Sequence, residues 1–286
     1  MRARPLIGIS RETLHSPDRV FDDSEILRLT GEALAADGVD VELVRPERIS
    51  SGWWNRPHPE MAFVMCEQER MLKPLSVWER EGATLVNSVA AIRNTYRYRM
   101  IPLLSSTGVR FPRSQIVATH SPNLERRLRG YFERANTHSL WIKRGDVHNT
   151  QEGDVSMAQS TAEAWALMLG LRSRGVTRSV WQEHIEGDLV KLYGIGESGE
   201  EWFKWFYHKD QKLNGHFFSE SELKDTFFSA AKALGLEIFG GDAVVASDGS
   251  VYLIDINAWP SFALFRSEAS AAIARHILAR ISHPVA

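Results

Sequence analysis

The sequence lacks several features that would assign it at once to a well-marked class of protein. A single cysteine, Cys66, occurs among 286 residues. An internal disulfide is therefore impossible, and we expect a protein of the reducing cytoplasm. No uninterrupted stretch of about 18 apolar residues is present, so we expect no membrane-spanning helix. The apolar run near the N-terminus is too short for a secretory signal.

Charge of one sign is not in excess either. Lysine and arginine number 34, aspartate and glutamate 36, and the formal net charge is -2. Because nucleic-acid binding depends on a basic surface, we expect no nucleic-acid partner. A P-loop, in which glycine is followed after four residues by Gly-Lys-Ser or Gly-Lys-Thr, is also absent. That route to nucleotide binding is excluded.

The first third of the chain alternates strand and helix patterns. The amphipathic pattern at residues 23–37 predicts a helix that ends at Gly38. Four short apolar runs predict strands, at residues 5–9, 39–44, 61–65 and 84–86. Such alternation is typical of a small parallel sheet covered by helices. Asn87 and Ser88 are expected to cap a further helix that runs toward Leu104.

The rest of the chain predicts a mixed α/β (α+β) structure without a strong linker. Further strands are expected at residues 109–117, 140–143, 179–185 and 189–195, and helices at 161–169, 220–234 and 267–281. We therefore expect lobes that share one cleft rather than independent domains.

A hairpin at residues 241–257 is the most informative segment. Asp248-Gly249 predicts a two-residue turn, and that register places Asp242 opposite Asp255. Asn257 lies two residues further on, hence on the same face as Asp255. Facing carboxylates repel, and a divalent cation with oxygen ligands would compensate. A solvated strand end without metal is the alternative, and a one-residue bulge would break the register.

Two motifs in order along the chain resemble those of the ATP-grasp superfamily. Residues 182–187 read Gln-Glu-His-Ile-Glu-Gly, and residues 255–260 read Asp-Ile-Asn-Ala-Trp-Pro. The resemblance covers roughly residues 84–262 and implies an ATP-grasp fold. It further implies an N-terminal βαβ pre-ATP-grasp domain at residues 1–105, a small lobe at 106–185, and a C-terminal lobe with the metal site at 186–286.

The resemblance also implies a set of phosphate contacts. Lys143 matches the lysine that reaches the α- and β-phosphates, and Arg97 stands where the family often has a second lysine. Many members close a glycine-rich loop over the phosphates, whereas residues 144–154 are polar with two glycines. His148 or Arg144 is therefore a candidate phosphate ligand, although a surface loop would explain most of these residues.

For the rest of the nucleotide, the family implies a hinge and a metal centre. The hinge that pairs with adenine corresponds to Gln182, Glu183, His184 and Ile185, and Asp188 is expected to hold the ribose. His184 is expected to pack or hydrogen-bond rather than to transfer protons. Asp242, Asp255 and Asn257 match the ligands of Mg²⁺, or Mn²⁺, that bridges ATP phosphates.

Cations near these motifs suggest a small anionic substrate with carboxylate or phosphate groups. Lys191, after the hinge, and Arg266, after the metal strand, are the catalytic candidates. Arg11 and Lys209 are equally well explained as surface charges. The aromatic run at residues 202–206 is expected to be core rather than a stacking platform for a ligand.

Three functions remain open at this level. The first is a ligase, similar to glutathione synthetase and ribosomal-protein glutamate ligases, which joins a carboxylate to an amine through an acyl phosphate. The second is a kinase similar to the inositol-trisphosphate kinases, with Lys191 on the acceptor phosphates. The third is a non-catalytic nucleotide-binding module. A homodimer is possible, because dimers are common in the superfamily.

Overall fold

The N-terminal part of the chain forms a parallel sheet. A computed structural model describes residues 4–16, 19–134, 139–147, 150–196 and 201–282. The parallel strands are β1 (Leu6–Ile9), β2 (Val41–Val44), β3 (Met61–Val64) and β4 (Thr84–Val86), in the order β2-β1-β3-β4. Helices α1 (Val20–Ala36) and α2 (Glu69–Arg80) connect them. The predicted βαβ alternation is confirmed.

The helix expected after Ser88 is divided into two. Helix α3 (Val89–Asn94) begins at Ser88, whose side chain accepts a hydrogen bond from the N–H of Ala91. Helix α4 (Arg97–Ser105) follows after Tyr96, which has an extended backbone. Arg97 therefore stands at the first position of a new helix.

The middle part forms an antiparallel sheet with its own core. Its strands are β5 (Ser114–Ala118), β6 (Leu140–Arg144), β7 (Val155–Ala158) and β8 (Arg178–Glu183), in the order β5-β8-β6-β7. Helices α5 (Leu124–Arg134) and α6 (Thr161–Ser173) cover one face. The buried residues of this lobe form a cluster separate from the rest, which is consistent with a lobe that packs as a unit.

The third sheet is also antiparallel. It contains β9 (Asp188–Ile195), β10 (Trp202–Tyr207), β11 (Ile238–Val245) and β12 (Val251–Ala258), in the order β10-β9-β11-β12. The aromatic run that we expected to be core is β10, an edge strand whose side chains are half-buried. Helices α7 (Glu220–Leu234) and α8 (Arg266–Ser282) complete the chain.

The first and third sheets share their cores. Helix α7 packs against both α4 and β12, and α8 returns to pack against α1. Cys66 is buried, as expected of a thiol without a disulfide partner. In the described ranges no helix combines the length and the apolar character needed to cross a membrane. The domain limits at 105 and 185 stay a prediction.

The turn of the β11–β12 hairpin differs from the expected one, but the expected pairing of Asp242 with Asp255 remains. The turn has three residues, 247–249, because the N–H of Ala246 donates to the carbonyl of Ser250 (2.9 Å). Gly249 has φ 81°, the left-handed residue that such a turn requires. The predicted two-residue turn is therefore wrong. The pairing changes by one residue beyond Leu253, and Asp242 still faces Asp255.

The turn between β8 and β9 brings two backbones close together at Gly187. A Cβ atom there would lie 2.1 Å from the carbonyl oxygen of Val245 and 2.7 Å from a methyl carbon of Val244. Only glycine fits without displacement of β11, the strand that carries Asp242. The Gln-Glu-His-Ile-Glu-Gly motif thus ends in a residue that the packing demands.

We predict that Gly187→Ala lowers the free energy of unfolding by about 1–3 kcal/mol, because the added methyl overpacks against the backbone. Gly170→Ala is the control: it lies inside α6, and a Cβ atom there meets nothing within 4 Å. That change should raise the free energy of unfolding by about 0.5–1 kcal/mol. Urea unfolding measures both. Wild-type stability in Gly187→Ala would contradict the close approach.

Candidate active site

A cavity of about 800 Å³ opens between the three sheets. That volume lies within the usual range for small-molecule sites, roughly 300–1,000 Å³. Most of the candidate residues from the sequence line it, namely Arg97, Lys143, Gln182, Glu183, His184, Ile185, Asp242, Asp255 and Asn257. The fold therefore brings residues of the two motifs together with Lys143 and Arg97 in one place.

The facing carboxylates of β11 and β12 are each paired with a protein cation. Lys191 Nζ lies 2.8 Å from Asp242 Oδ1, and Arg97 Nη2 lies 2.6 Å from Asp255 Oδ2. The repulsion from which we inferred a metal is thus reduced by Lys191 and Arg97. A metal site must therefore be argued from something other than unbalanced charge.

Asn257 supplies that argument. Its Oδ1 atom is buried, accepts no hydrogen bond within the described part of the chain, and belongs to a residue that lines the cavity. A buried carbonyl oxygen without a partner is costly. A hard cation is a fitting partner for it, together with the nearby carboxylates. No three His, Cys, Asp or Glu side chains of the described ranges form a ready-made cage, as is usual where phosphates complete the coordination of Mg²⁺.

Lys143 is buried on β6, with 5% of its surface exposed. Burial lowers the pKa of its ammonium group to about 8, against the raising effect of Asp255, while Arg97 lowers it further. Its Nζ atom donates to the carbonyl of Ile254 (3.3 Å). Ile254 is the residue of β12 that the bulge leaves unpaired with β11. The bulge therefore provides the acceptor that holds Lys143.

Arg97 donates hydrogen bonds to three acceptors. Besides Asp255, it donates to the carbonyl oxygens of Arg144 and Val147, both at 3.2 Å. Its Nε atom is buried and has no hydrogen-bond partner in the described structure. The Nε–H of Arg97, a residue that lines the cavity, is thus a candidate donor to a ligand.

The hinge presents its main chain rather than its acidic side chain. The carboxylate of Glu183 accepts from the N–H and Nε of Arg113, each at 3.1 Å. His184 Nδ1 accepts from the indole N–H of Trp141 (3.2 Å), which supports a hydrogen-bonding role. Among the described contacts, the N–H of Ile185 makes no hydrogen bond. It is a free donor beside the cavity.

The structure does not bring Asp188 to the cavity. Its side chain is fully buried and accepts from the N–H groups of Asn214 (2.7 Å) and His216 (2.9 Å). Burial alone would raise the pKa of this carboxyl, but these hydrogen bonds outweigh it and lower the pKa. Asp188 anchors residues 214–216, so its position does not support the expected contact with ribose.

The cations that we expected to bind the acceptor substrate are paired with carboxylates or lie outside the cavity. Lys191 pairs with Asp242, Arg266 pairs with Asp22 on α1, and neither lines the cavity. Lys209 is exposed and does not line it. Arg11 does line it, but is already paired with Asp23 and Glu67 and hydrogen-bonded to two carbonyl groups. Spacing from a motif did not reveal which cations would be neutralised.

The loop between β6 and β7 is held by hydrogen bonds to the buried carboxylate of Asp154. Asp154 is fully buried and accepts from Arg144 (3.1 Å), Arg174 (2.7 Å) and the side chain of Thr150 (2.7 Å). Arg144 is thus committed to the loop itself. His148 lies outside the described residues. Two other members of the loop, Gln151 and Glu152, reach the cavity.

Sequence reasoning missed several lining residues. Trp141 shares a face of β6 with Lys143, a period-of-two signal that was available. His15 and Glu67 follow β1 and β3, and Asp23 lies on α1. The carboxyl ends of parallel strands are the expected place for ligand-binding loops, but no motif marks these side chains.

The two carboxylate pairs should differ in their contribution to stability. The side chains of Arg97 and Asp255 are 4% and 13% exposed, those of Lys191 and Asp242 24% and 26%. We predict that Asp255→Ala lowers the free energy of unfolding by about 3–5 kcal/mol, because it leaves a buried charge unpaired.

Asp242→Ala is the comparison, with an expected change below about 1 kcal/mol because its pair is partly hydrated. Urea unfolding of both variants without nucleotide measures the difference. Equal effects of the two substitutions would contradict the buried character of the Arg97–Asp255 pair.

Comparison with solved structures identifies the architecture. D-alanyl-alanine synthetase A from Vibrio cholerae superposes with a TM-score of 0.74 at 8% identity, covering 99% of this chain and 98% of that one. D-cycloserine synthetase DcsG gives 0.69 at 16% identity over 96% and 99%. ATP-grasp ligase PsnB, in complex with precursor peptide PsnA2 and AMPPNP, gives 0.68 at 16% over 98% of both chains. No protein-family model and no curated protein matches the sequence.

Proposed function

Because the chain has the ATP-grasp fold, we propose that it is an ATP- and Mg²⁺-dependent ligase. The substrate carboxylate attacks the γ-phosphorus of ATP and becomes an acyl phosphate, and ADP leaves. An amine then attacks the carbonyl carbon, and phosphate leaves. The product is an amide.

The convergence of three kinds of group in one cavity carries this proposal. Lys143 and Arg97 offer buried cationic donors, Asp242, Asp255 and Asn257 offer hard oxygen ligands, and an apolar region adjoins them. The apolar lining comes from both antiparallel sheets and from the segment between β8 and β9: Trp141, Val155, Ile185, Leu189, Val244 and Ile254. A purine with a polyphosphate requires this combination of an apolar slot and a charged end.

Each residue has a definite task in the proposed reaction. The free N–H of Ile185 donates to adenine, while Trp141 and Ile254 enclose the ring. Lys143 donates to the phosphates and, once a polyphosphate lies beside it, stays protonated because anions favour the charged form. Arg97 offers its unpartnered Nε to a phosphate oxygen. These groups orient the reactants and oppose negative charge.

The residues present fit a divalent metal, on the observation that Asn257 Oδ1 is buried without a partner. Asp242, Asp255 and Asn257 would hold it. When bound, Mg²⁺ supplies charge neutralisation on phosphate oxygens. PsnB, of the same fold, has been determined with Mg and ADP.

The acceptor end of the cavity favours a ligase over a kinase. A kinase of an inositol phosphate would need several unpaired cations there, whereas Lys191 is bound to Asp242 and Arg11 to Asp23 and Glu67. Arg19 lines the cavity without an ion pair to a described residue, and is a single such cation. The same end carries the carboxylates of Asp23 and Glu67, which share Arg11 as a partner, so these three groups keep one unbalanced negative charge. Acidic groups suit an ammonium-bearing substrate and repel a polyphosphate.

The decisive experiment measures ADP and orthophosphate together. The protein is incubated with ATP, Mg²⁺ and pooled amino acids, with and without added ammonium and methylamine. A ligase releases ADP and phosphate in equal amounts with an amide product. ADP without phosphate would identify a kinase instead, and an absence of turnover with bound ATP would leave a non-catalytic module.

We predict that Asn257→Ala weakens Mg²⁺-dependent binding of AMPPNP at least tenfold, because a metal ligand is lost. The urea midpoint should stay equal or rise slightly, since Oδ1 accepts no hydrogen bond that the substitution would break. Asn55→Ala, an exposed position outside the cavity, is the control. Unchanged affinity in Asn257→Ala would remove Asn257 from the metal site.

A further inference from the structure

A group of polar side chains closes the N-terminal end of the cavity and has no task in nucleotide binding. We call it the N-terminal cluster; it consists of Arg11, His15, Ser16, Asp23 and Glu67, all of which line the cavity. Ser16 donates to Asp23 (2.7 Å), and Arg11 is hydrogen-bonded to both Asp23 and Glu67. The cluster thus joins the loops after β1 and β3 to helix α1.

Arg11 also fixes the distance of this cluster from the candidate metal ligands. Its Nη2 atom donates to the carbonyl oxygens of Ala258 (3.3 Å) and Trp259 (2.5 Å). Ala258 directly follows Asn257 on β12. One guanidinium therefore spans from the N-terminal cluster to the end of the strand that carries Asp255 and Asn257. A carboxyl group activated at the phosphates would have the cluster as its neighbour.

His15 is a member of the cluster with a buried ring nitrogen that makes no hydrogen bond to a described residue. Its side chain is 5% exposed, and its Nδ1 atom has no hydrogen-bond partner in the described structure. The same atom lies 3.6 Å from Glu67 Oε2, an ion-pair distance but too long for a hydrogen bond. Its other ring nitrogen makes no hydrogen bond to a described residue. An imidazole backed by a carboxylate, at the wall of a cavity, is a typical proton acceptor.

The second half of the proposed ligase reaction needs such a group. An aliphatic amine is protonated near neutral pH and has no lone pair for attack until it loses a proton. The carboxylates of Asp23 and Glu67 share one cation, Arg11, so one negative charge of the three groups stays unbalanced and favours an ammonium group at this end of the cavity. Arg11 is held in place by four hydrogen bonds, two to these carboxylates and two to carbonyl oxygens.

We propose that His15 is the general base that deprotonates the attacking amine, and that Glu67 positions it; this rests on the proposed ligase function. The ammonium of the second substrate gives one proton to the imidazole and becomes a neutral amine. The amine nitrogen forms a bond to the carbonyl carbon of the acyl phosphate, and the bond from that carbon to phosphate oxygen breaks. A second proton leaves with the phosphate, and the imidazolium returns its proton to solvent.

A comparison of two small nucleophiles distinguishes deprotonation of the amine from the other steps of the reaction. Hydroxylamine is unprotonated near neutral pH and reacts with an acyl phosphate to give a hydroxamate without a base. Methylamine is about equal in size but is protonated, and requires one. Wild type and variants are each incubated with ATP, Mg²⁺ and pooled amino acids. One nucleophile is added to each reaction, either hydroxylamine, methylamine or ammonium, and the hydroxamate and amide products are quantified.

In His15→Gln, amide formation should fall at least tenfold, because a general base contributes about 10²–10⁴ in rate. Hydroxamate formation should stay within about threefold of wild type, since acyl phosphate synthesis is untouched. Glu67→Gln should show the same split with a smaller loss. His120→Gln, an exposed histidine outside the cavity, should leave both products unchanged.

Equal loss of both products in His15→Gln, or no loss of amide, would overturn the assignment. So would a wild type that makes hydroxamate but no amide from ammonium, methylamine or amino acids. A wild type that makes neither product contradicts the ligase itself, which is a different failure. If His15→Gln does not fold, His15→Ala with added imidazole replaces it, and restored amide synthesis is then the required result.

Discussion

The candidate site depends on the register of β11 against β12. A three-residue turn shifts the pairing by one residue, and the bulge at Ile254 shifts it back, so Asp242 and Asp255 face each other at the cavity. The same bulge gives Lys143 a carbonyl acceptor. One irregularity of a strand therefore sets the positions of both carboxylates and the buried lysine.

Much of the fold could be predicted because its signals are local. Apolar runs separated by a capped helix specify the parallel sheet, and Asp-Gly between two apolar runs specifies a hairpin. The bulge could not be predicted, since Ile254 stands in an unbroken apolar run, without the glycine that often marks such a position. The pairing of Asp242 with Asp255 was expected from a two-residue turn that does not exist, and two opposite shifts preserved it.

The roles of charged side chains in the candidate site were less predictable from the sequence. The spacing of Lys191, Arg266 and Asp188 from a motif does not reveal the partners that fold against them. Those partners are Asp242, Asp22 and the main chain of residues 214–216, and they neutralise or bury these charges. The carboxylates of Asp23, on α1, and Glu67, in the loop after β3, belong to no sequence motif. Together these contacts shift the expected acceptor from a purely anionic group toward one that carries an ammonium.

The central claim is that the cavity binds a nucleotide with its phosphates at the hairpin. A crystal structure with AMPPNP and Mn²⁺ tests it most directly, since Mn²⁺ gives an anomalous signal that locates the metal. We expect that signal among the side-chain oxygens of Asp242, Asp255 and Asn257, with the phosphates beside Lys143 and the adenine at Ile185. Metal or nucleotide bound elsewhere, or an anomalous map without a peak at these oxygens, would contradict the account.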